Sequence, residues 1–255
     1  MSDSLLEDSS GQQVRSLWGR ATLGLWLGAW GLVIALERAT AGDIVSAHFL
    51  AVVGCTIGLV SGIFFRIVSK TTRTAGLEPV TLATWVTVTR GAAIVVLAGF
   101  IVVPSPDGLL AWLPALLFAV GAALDAVDGL LARRTGTTTM LGAQFDVETD
   151  ALVVLVGTLV AIATEAVPLA FLAVGIARYL FVFGSWWRRR HGRPVYDLPE
   201  SRLRRPLGAL AMVTIWLALL PPVAPGLSRL IALVVMVPFV LNFARDWVAV
   251  AGWHR

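Results

Sequence analysis

Residues 109–132, LLAWLPALLFAVGAALDAVDGLLA, form an apolar run that ends in two aspartates, Asp125 and Asp128. A helix needs roughly 20 apolar residues to cross a bilayer, and this run is long enough. Across a short loop, the next apolar run begins with two further aspartates, Asp146 and Asp150. Because a short connection makes neighbouring helices antiparallel, the pattern predicts two membrane helices whose acidic ends meet at one side of the bilayer.

The composition of the whole chain also favours a membrane protein. Its 255 residues are 57% hydrophobic and only 14% charged, and the mean hydropathy is +0.82. Soluble domains carry charge on about a quarter of their residues, so this composition argues against a water-soluble domain. The net charge of +4 comes from basic residues in short loops, which fits membrane topology better than a nucleic-acid partner.

Apolar runs separated by turn residues predict eight membrane spans. They cover 17–36, 45–67, 84–103, 109–132, 143–163, 167–187, 207–222 and 227–249. The expected fold class is therefore all-α, a polytopic helical bundle embedded in a membrane. We expect the surrounding lipids to be among its partners.

The distribution of Lys and Arg predicts the orientation of these spans. With the N-terminus in the cytoplasm, the outer loops receive only Arg38 and Arg229, and the remaining basic residues fall on the cytoplasmic side. This asymmetry follows the positive-inside rule. We expect a multi-pass protein of the cell membrane with both termini, and the acidic helix ends, facing the cytoplasm.

The four aspartates predict a site for divalent cations. Asp125 and Asp128 are three residues apart, and Asp146 and Asp150 are four apart, so each pair shares one helix face. A carboxylate inside a membrane is costly, and nearby arginines would leave a surplus of negative charge. Hard oxygen ligands suit two Mg²⁺ or Mn²⁺ ions, whereas the absence of His and Cys from the cluster argues against zinc.

These residues resemble the signature of the CDP-alcohol phosphotransferase (CDP-alcohol phosphatidyltransferase) family, D-x-x-D-G-x-x-A-R-x8-G-x-x-x-D-x-x-x-D. The matching positions are Asp125, Asp128, Gly129, Ala132, Arg133, Gly142, Asp146 and Asp150. The resemblance implies a domain of six membrane helices at 76–255, usually a homodimer. Residues 1–75, a polar tail and two extra helices, lie outside it.

The resemblance also implies roles for individual residues. The first three aspartates would bind the metal ions, and Asp150 would be the catalytic base and a possible fourth ligand. A second family pattern at the start of the first core helix is matched by Thr87 and Arg90, whereas Thr84 replaces its asparagine. The residues implied to contact the nucleotide are Asp125, Gly129, Ala132, Arg133, Gly142, Thr87 and Arg90.

The implied reaction transfers a phosphoalcohol from a CDP-linked lipid donor to a hydroxyl acceptor in phospholipid biosynthesis and releases CMP. The donor chains can be acyl or isoprenoid, and the acceptor can be glycerol phosphate, inositol phosphate, serine or a second lipid alcohol. Arg178, inside the sixth span, is a candidate for binding an acceptor phosphate or for pairing with an aspartate. Arg188 and Arg189 begin a basic segment that can bind the acceptor or simply face anionic lipid.

Two other functions fit part of the pattern. Intramembrane prenyltransferases also use aspartate-rich helices and magnesium, but they do not require the residues Gly129, Ala132 and Arg133. A divalent-metal transporter would favour acidic residues on several spans near the bilayer midplane, whereas here they are grouped on two helices. Both are weaker hypotheses than phosphoalcohol transfer.

Overall fold

The computed structural model describes residues 2–40, 42–75, 82–104, 106–135, 139–198 and 200–252. Side-chain surroundings are described for these residues except 2–13, 15, 73–75, 82–84 and 125–135. The described residues form helices, turns and loops and contain no β-strand. The prediction of an all-α fold is therefore confirmed.

Eight α-helices follow one another along the described residues, and each overlaps one of the eight predicted spans. Their bounds are α1 Ser2–Thr40, α2 Ala47–Ala75, α3 Leu82–Gly99, α4 Leu113–Thr135, α5 Met140–Ala163, α6 Leu172–Arg190, α7 Arg204–Leu219 and α8 Pro225–Ala251. Two 3-10 helices, Gly108–Trp112 and Leu169–Phe171, lead into α4 and α6.

Among the described residues, four helical segments are long and apolar enough to cross a membrane. They are Ser16–Thr40, Ala47–Thr72, Leu169–Arg190 and Pro225–Ala251. Of the others, α5 carries three carboxylates in its first half, and α7 is only 16 residues long. The four segments indicate a membrane protein, whereas eight spans in a six-plus-two arrangement, with a domain boundary at residue 75, stay predictions.

The chain forms two compact units, the first ending at Val153 and the second beginning at Val154. In the first unit, α3 packs against α1, α2 and α4. Every residue of α3 from Arg90 to Gly99 is buried as a result. At the end of α3, a Cβ on Gly99 would overlap the ring of Phe49 in α2, so glycine is what allows this close approach.

The second helix, α2, also reaches the start of α5. The rings of Phe64 in α2 and Phe145 in α5 have centroids 4.5 Å apart, and both side chains are 1% exposed. Further along, the Thr71 hydroxyl donates to the Gln144 side-chain oxygen at 3.4 Å. Helix α2 is therefore part of the packing around the acidic half of α5.

In the second unit, α8 packs against α6 and α7. Proline at the first position of α8 and Gly252 after its end, with φ of 72°, are the expected start and stop signals of a helix. The Arg188 guanidinium donates to the carbonyl oxygens of Ala251, at 2.8 Å, and Pro194. Arg188 thereby ties the loop after α6 to the end of α8.

Candidate active site

The first turn of α5 sets the position of the acidic residues that follow. Thr139 precedes the helix, and its hydroxyl oxygen accepts a hydrogen bond from the backbone N–H of Gly142 at 3.0 Å. A threonine in this place satisfies one of the unpaired N–H groups at a helix start. Asp146 and Asp150, named here the carboxylate pair, then lie one turn apart on the same side of α5.

Arg90 of α3 binds both members of the carboxylate pair. Its Nη1 donates to Oδ1 of Asp146 at 2.7 Å, and its Nη2 donates to Oδ1 of Asp150 at 2.5 Å. The side chain of Arg90 is 0% exposed, while those of Asp146 and Asp150 are 38% and 35% exposed. The aspartates are thus held by a buried cation and remain accessible from outside the protein.

The same guanidinium also reaches α4. Nε of Arg90 donates to the backbone oxygen of Gly121 at 2.9 Å, so one side chain links α3, α4 and α5. A buried cation is tolerated only when it is paired and hydrogen-bonded, and these three contacts meet that requirement. The nucleotide contact implied for Arg90 stays a prediction, because the partners shown here all belong to the protein.

The remaining residues of the two family patterns divide between described and undescribed parts of the chain. Thr87 of α3 is buried, and Gly142 lies in the first turn of α5. Asp125, Asp128, Gly129, Ala132 and Arg133 belong to α4, but their side chains lie outside the described residues. Asp146 and Asp150 are therefore observed on one side of α5, whereas their predicted meeting with Asp125 and Asp128 stays a prediction.

The carboxylate pair fits the chemistry of a divalent-cation site. Its donors are hard oxygens, which suit Mg²⁺ and Mn²⁺, and about a third of each side chain is open to a ligand. Across the part of the chain with described side chains, no group of three or more His, Cys, Asp or Glu could hold a metal ion. The side chains of Asp125 and Asp128, the other predicted ligands, lie outside that part.

The sequence left Glu148 without a role, and the structure gives it surroundings. It lies two residues from each member of the carboxylate pair, which places it on nearly the opposite side of α5. There it lines a cavity of about 570 Å³ together with Gln144 and two cationic residues of α2, Arg66 and Lys70. Glu148 therefore belongs to the contact region of α2 and α5.

The second unit contains a polar cluster that sequence reasoning missed. Asp246 of α8 is 6% exposed and accepts hydrogen bonds from Nε of Arg204, at 3.0 Å, and from the Asn242 amide, at 3.2 Å. These three residues line a cavity of about 240 Å³, as do Arg178 and several aromatic rings. The available signal was Asn242 and Asp246 spaced by four in an otherwise apolar run.

The three predicted acceptor residues differ in their surroundings. Arg178 lines the cavity just described, whereas Arg188 donates to the backbone carbonyls of Pro194 and Ala251. Arg189 is exposed at the end of α6. The contacts of Arg188 support a structural role for that residue, and acceptor binding by any of the three stays a prediction.

Apolar helices with a partly exposed carboxylate pair over a buried arginine define a helical membrane protein with a polar site. A family model described as CDP-alcohol phosphatidyltransferase matches residues 80–249 of this chain. Because the match covers most of the chain, the protein belongs to the CDP-alcohol phosphatidyltransferase family, as the signature predicted. Neither the comparison with curated proteins nor that with solved structures finds a match.

Membership sets the general class of chemistry. The family comprises transferases of phosphate-containing groups that use CDP-alcohol donors and alcohol acceptors in lipid synthesis. Its members generally depend on divalent metal ions. The alternatives of a prenyltransferase and a metal transporter find no support in this comparison.

Proposed function

We propose that this protein transfers a phosphoalcohol from a CDP-linked lipid to a hydroxyl acceptor and releases CMP. The observation that carries the proposal is the carboxylate pair, which lies one turn apart on α5, is bound by Arg90 and is still partly exposed. Its members are the last two aspartates of the family signature. The family signature implies that these two positions supply metal-binding oxygens and the base, which supports the proposal.

The reaction needs one proton acceptor and one leaving group. The oxygen of the acceptor hydroxyl attacks the phosphorus that bears the lipid alcohol and forms a new P–O bond. The P–O bond to CMP breaks, and CMP departs with the bonding electrons. Asp150 takes the hydroxyl proton, since it is the last carboxylate of the signature and 35% of its side chain is exposed.

The proposed metal ligands are aspartates. Mg²⁺ or Mn²⁺ would be held by Asp125, Asp128, Asp146 and, in part, Asp150. When bound, two such ions would neutralise the charge of the pyrophosphate and of the departing CMP. The resemblance to the family implies that the nucleotide would be bordered by Gly129, Ala132, Arg133, Gly142 and Thr87.

We assign the acceptor end of the reaction to Arg178. It lies on α6 and lines a cavity with Arg204 and aromatic side chains, so a cation and apolar surface are present together. Arginine binds phosphate oxygens through a planar fork of N–H donors. An acceptor that carries its own phosphate is the class of substrate that this residue would favour.

The proposed reaction runs at the cytoplasmic side of the cell membrane, in a homodimer with both termini in the cytoplasm. The supporting observation for this orientation is the concentration of Lys and Arg on one side of the predicted spans. CDP-linked donors and phosphorylated acceptors are charged, and a site on this side would give them access from water.

The decisive experiment is a CMP-release assay on the protein purified in detergent. The enzyme is incubated with CDP-diacylglycerol and Mn²⁺ or Mg²⁺, and candidate acceptors are added one at a time: glycerol phosphate, inositol phosphate, serine and a lipid alcohol. We expect CMP and one new phospholipid with one acceptor, and no product in excess chelator. Pyrophosphate release from a prenyl donor, or equal turnover without metal, would overturn the proposal.

A further inference from the structure

Arg90 binds both carboxylates of the pair and has no exposed surface of its own. We propose that Arg90 is a positioning residue, which fixes the distance and orientation of Asp146 and Asp150 for metal binding and proton transfer. This inference rests on the proposed function, because it assigns the two aspartates to that reaction. It differs from a direct contact with the nucleotide.

The hydrogen-bond pattern explains how one residue can fix the positions of two carboxylates. A guanidinium presents five N–H donors in a rigid plane. Here Nη1 holds Asp146, Nη2 holds Asp150, and Nε is anchored on the Gly121 carbonyl of α4. The separation of the two Oδ1 atoms is therefore set by the fork as well as by the turn of α5.

The burial of Arg90 argues for positioning over substrate contact. Its side chain is 0% exposed, so a nucleotide could reach it only by displacing one of these protein groups. The next residue, Gly91, lies beside Leu25 of α1 and Phe64 of α2. These two side chains occupy the space next to this part of α3. The N-terminal helices thus enclose the segment of α3 that carries the guanidinium.

Loss of Arg90 should slow catalysis, because metal binding and proton transfer depend on the exact positions of the two carboxylates. Groups that orient metal ligands typically account for 10- to 100-fold in metal affinity or activity. Lysine keeps the positive charge but offers a single nitrogen on a flexible stem. Its ammonium can contact two carboxylates, but its three donors share one rotating nitrogen and do not fix the separation of the two acceptors.

The test compares Arg90→Lys with Arg229→Lys. Arg229, which the span assignment puts on the outer side of the membrane, makes an exposed ion pair with Glu165, so the control has the same side-chain change outside the proposed site. Mn²⁺ binding is measured without donor by electron paramagnetic resonance, CMP affinity by calorimetry, and kcat and KM by CMP release.

For Arg90→Lys we expect Mn²⁺ affinity and kcat each to fall about 10-fold or more, with CMP affinity in the absence of metal changed less than threefold. Arg229→Lys should match the wild type in all three. Unchanged or tighter Mn²⁺ binding would overturn the positioning role. A selective loss of CMP affinity would instead assign Arg90 to the nucleotide.

A second measurement covers the case in which Arg90→Lys does not fold. In metal-free protein, Asp146→Asn should lower the melting temperature by several degrees, because the buried guanidinium loses a charged partner. Asp107→Asn, the same change at an exposed residue with no side-chain cap hydrogen bond, serves as the control and should leave the melting temperature unchanged. If Asp146→Asn leaves the melting temperature unchanged or raises it, the contact between Arg90 and Asp146 does not stabilise the protein, and the positioning role is overturned.

These measurements separate the inference from the proposed function. A wild-type protein that releases no CMP from any CDP-alcohol would refute the function, whereas Mn²⁺ binding and melting temperature would still decide the role of Arg90. A wild-type protein that releases CMP and an Arg90→Lys variant with normal kcat and Mn²⁺ binding would refute only the inference.

Discussion

At the residue scale, a single buried guanidinium is shared between two carboxylates that face outward. The pairing is asymmetric, because Arg90 is fully enclosed while roughly a third of each aspartate side chain is accessible. The aspartates can therefore gain a further ligand without exposing the cation. This arrangement combines a buried, fixed cation with carboxylates that remain partly exposed.

Replacement of Asp150 by asparagine tests the proposed base. The amide keeps the size of the side chain but cannot accept the hydroxyl proton, and general bases typically contribute 10²- to 10⁴-fold in rate. We expect Asp150→Asn to reach the membrane fraction in normal amount and to release CMP at least about 100-fold more slowly. Near-normal turnover would remove Asp150 from the base role.

Replacement of Arg178 by glutamine tests the acceptor assignment. The loss of a charge-assisted hydrogen bond, about 1.5–3 kcal/mol, should raise the KM for a phosphorylated acceptor about 10-fold or more and change the KM for the CDP-linked donor little. Arg202→Gln, which removes an exposed charge from the basic segment, is the control. An equal KM change in both variants would argue against a specific acceptor site at Arg178.

The sequence predicted some of these residues much better than others. The spacing of Asp146 and Asp150 is local, so their common helix face follows from the helical repeat alone. The contact with Arg90 joins positions 56 and 60 residues apart, and only the packing of α3 against its neighbours brings them together. For the same reason Asp246 was missed, because its partner Arg204 is on another helix.

At the scale of helices, α3 is the element on which the first unit is assembled. The helices on three sides of it are α1, α2 and α4, and two of these lie outside the residues matched by the family model. The eight helices could be located from apolar runs and turn residues alone. Their packing could not, because apolar residues in a membrane protein face both lipid and protein.

The approach of α2 to α3 can be tested with a pair of glycine substitutions. In Gly99→Ala, the new methyl group meets the ring of the fully buried Phe49, and overpacking of this kind typically costs about 1–3 kcal/mol. In Gly62→Ala no atom lies within 4 Å of the new Cβ, so the helix should be equally or more stable. Thermal unfolding in detergent should show a lower melting temperature for Gly99→Ala alone.

At the scale of the whole molecule, charge and hydropathy predict which side of the membrane each loop faces, and this can be tested. The exposed residues Asp107 and Arg193 lie in loops that the span assignment puts on opposite sides of the membrane. The chain has one cysteine, Cys55, and its replacement by alanine gives a background for labelling. A single cysteine introduced into either loop then reports which side of the membrane that loop faces.

Cysteine labelling of intact cells with a membrane-impermeant maleimide distinguishes the two sides. In the Cys55→Ala background, we expect Asp107→Cys to be labelled directly and Arg193→Cys only after the membrane is permeabilised. Both variants should be equally reactive in detergent, which controls for local access. The reverse pattern would place the basic segment, and with it the proposed site, on the outer face.

The contacts of Arg90 with both α4 and α5 have a consequence for genetics. When a residue has one partner, a second mutation in that partner can often restore function. Here compensation would have to satisfy a backbone carbonyl on α4 and two carboxylates on α5 at once, and the carbonyl cannot be mutated. A selection for suppressors of Arg90→Gln should therefore return arginine at the original codon, whereas suppressors of Gly99→Ala should include smaller side chains at Phe49.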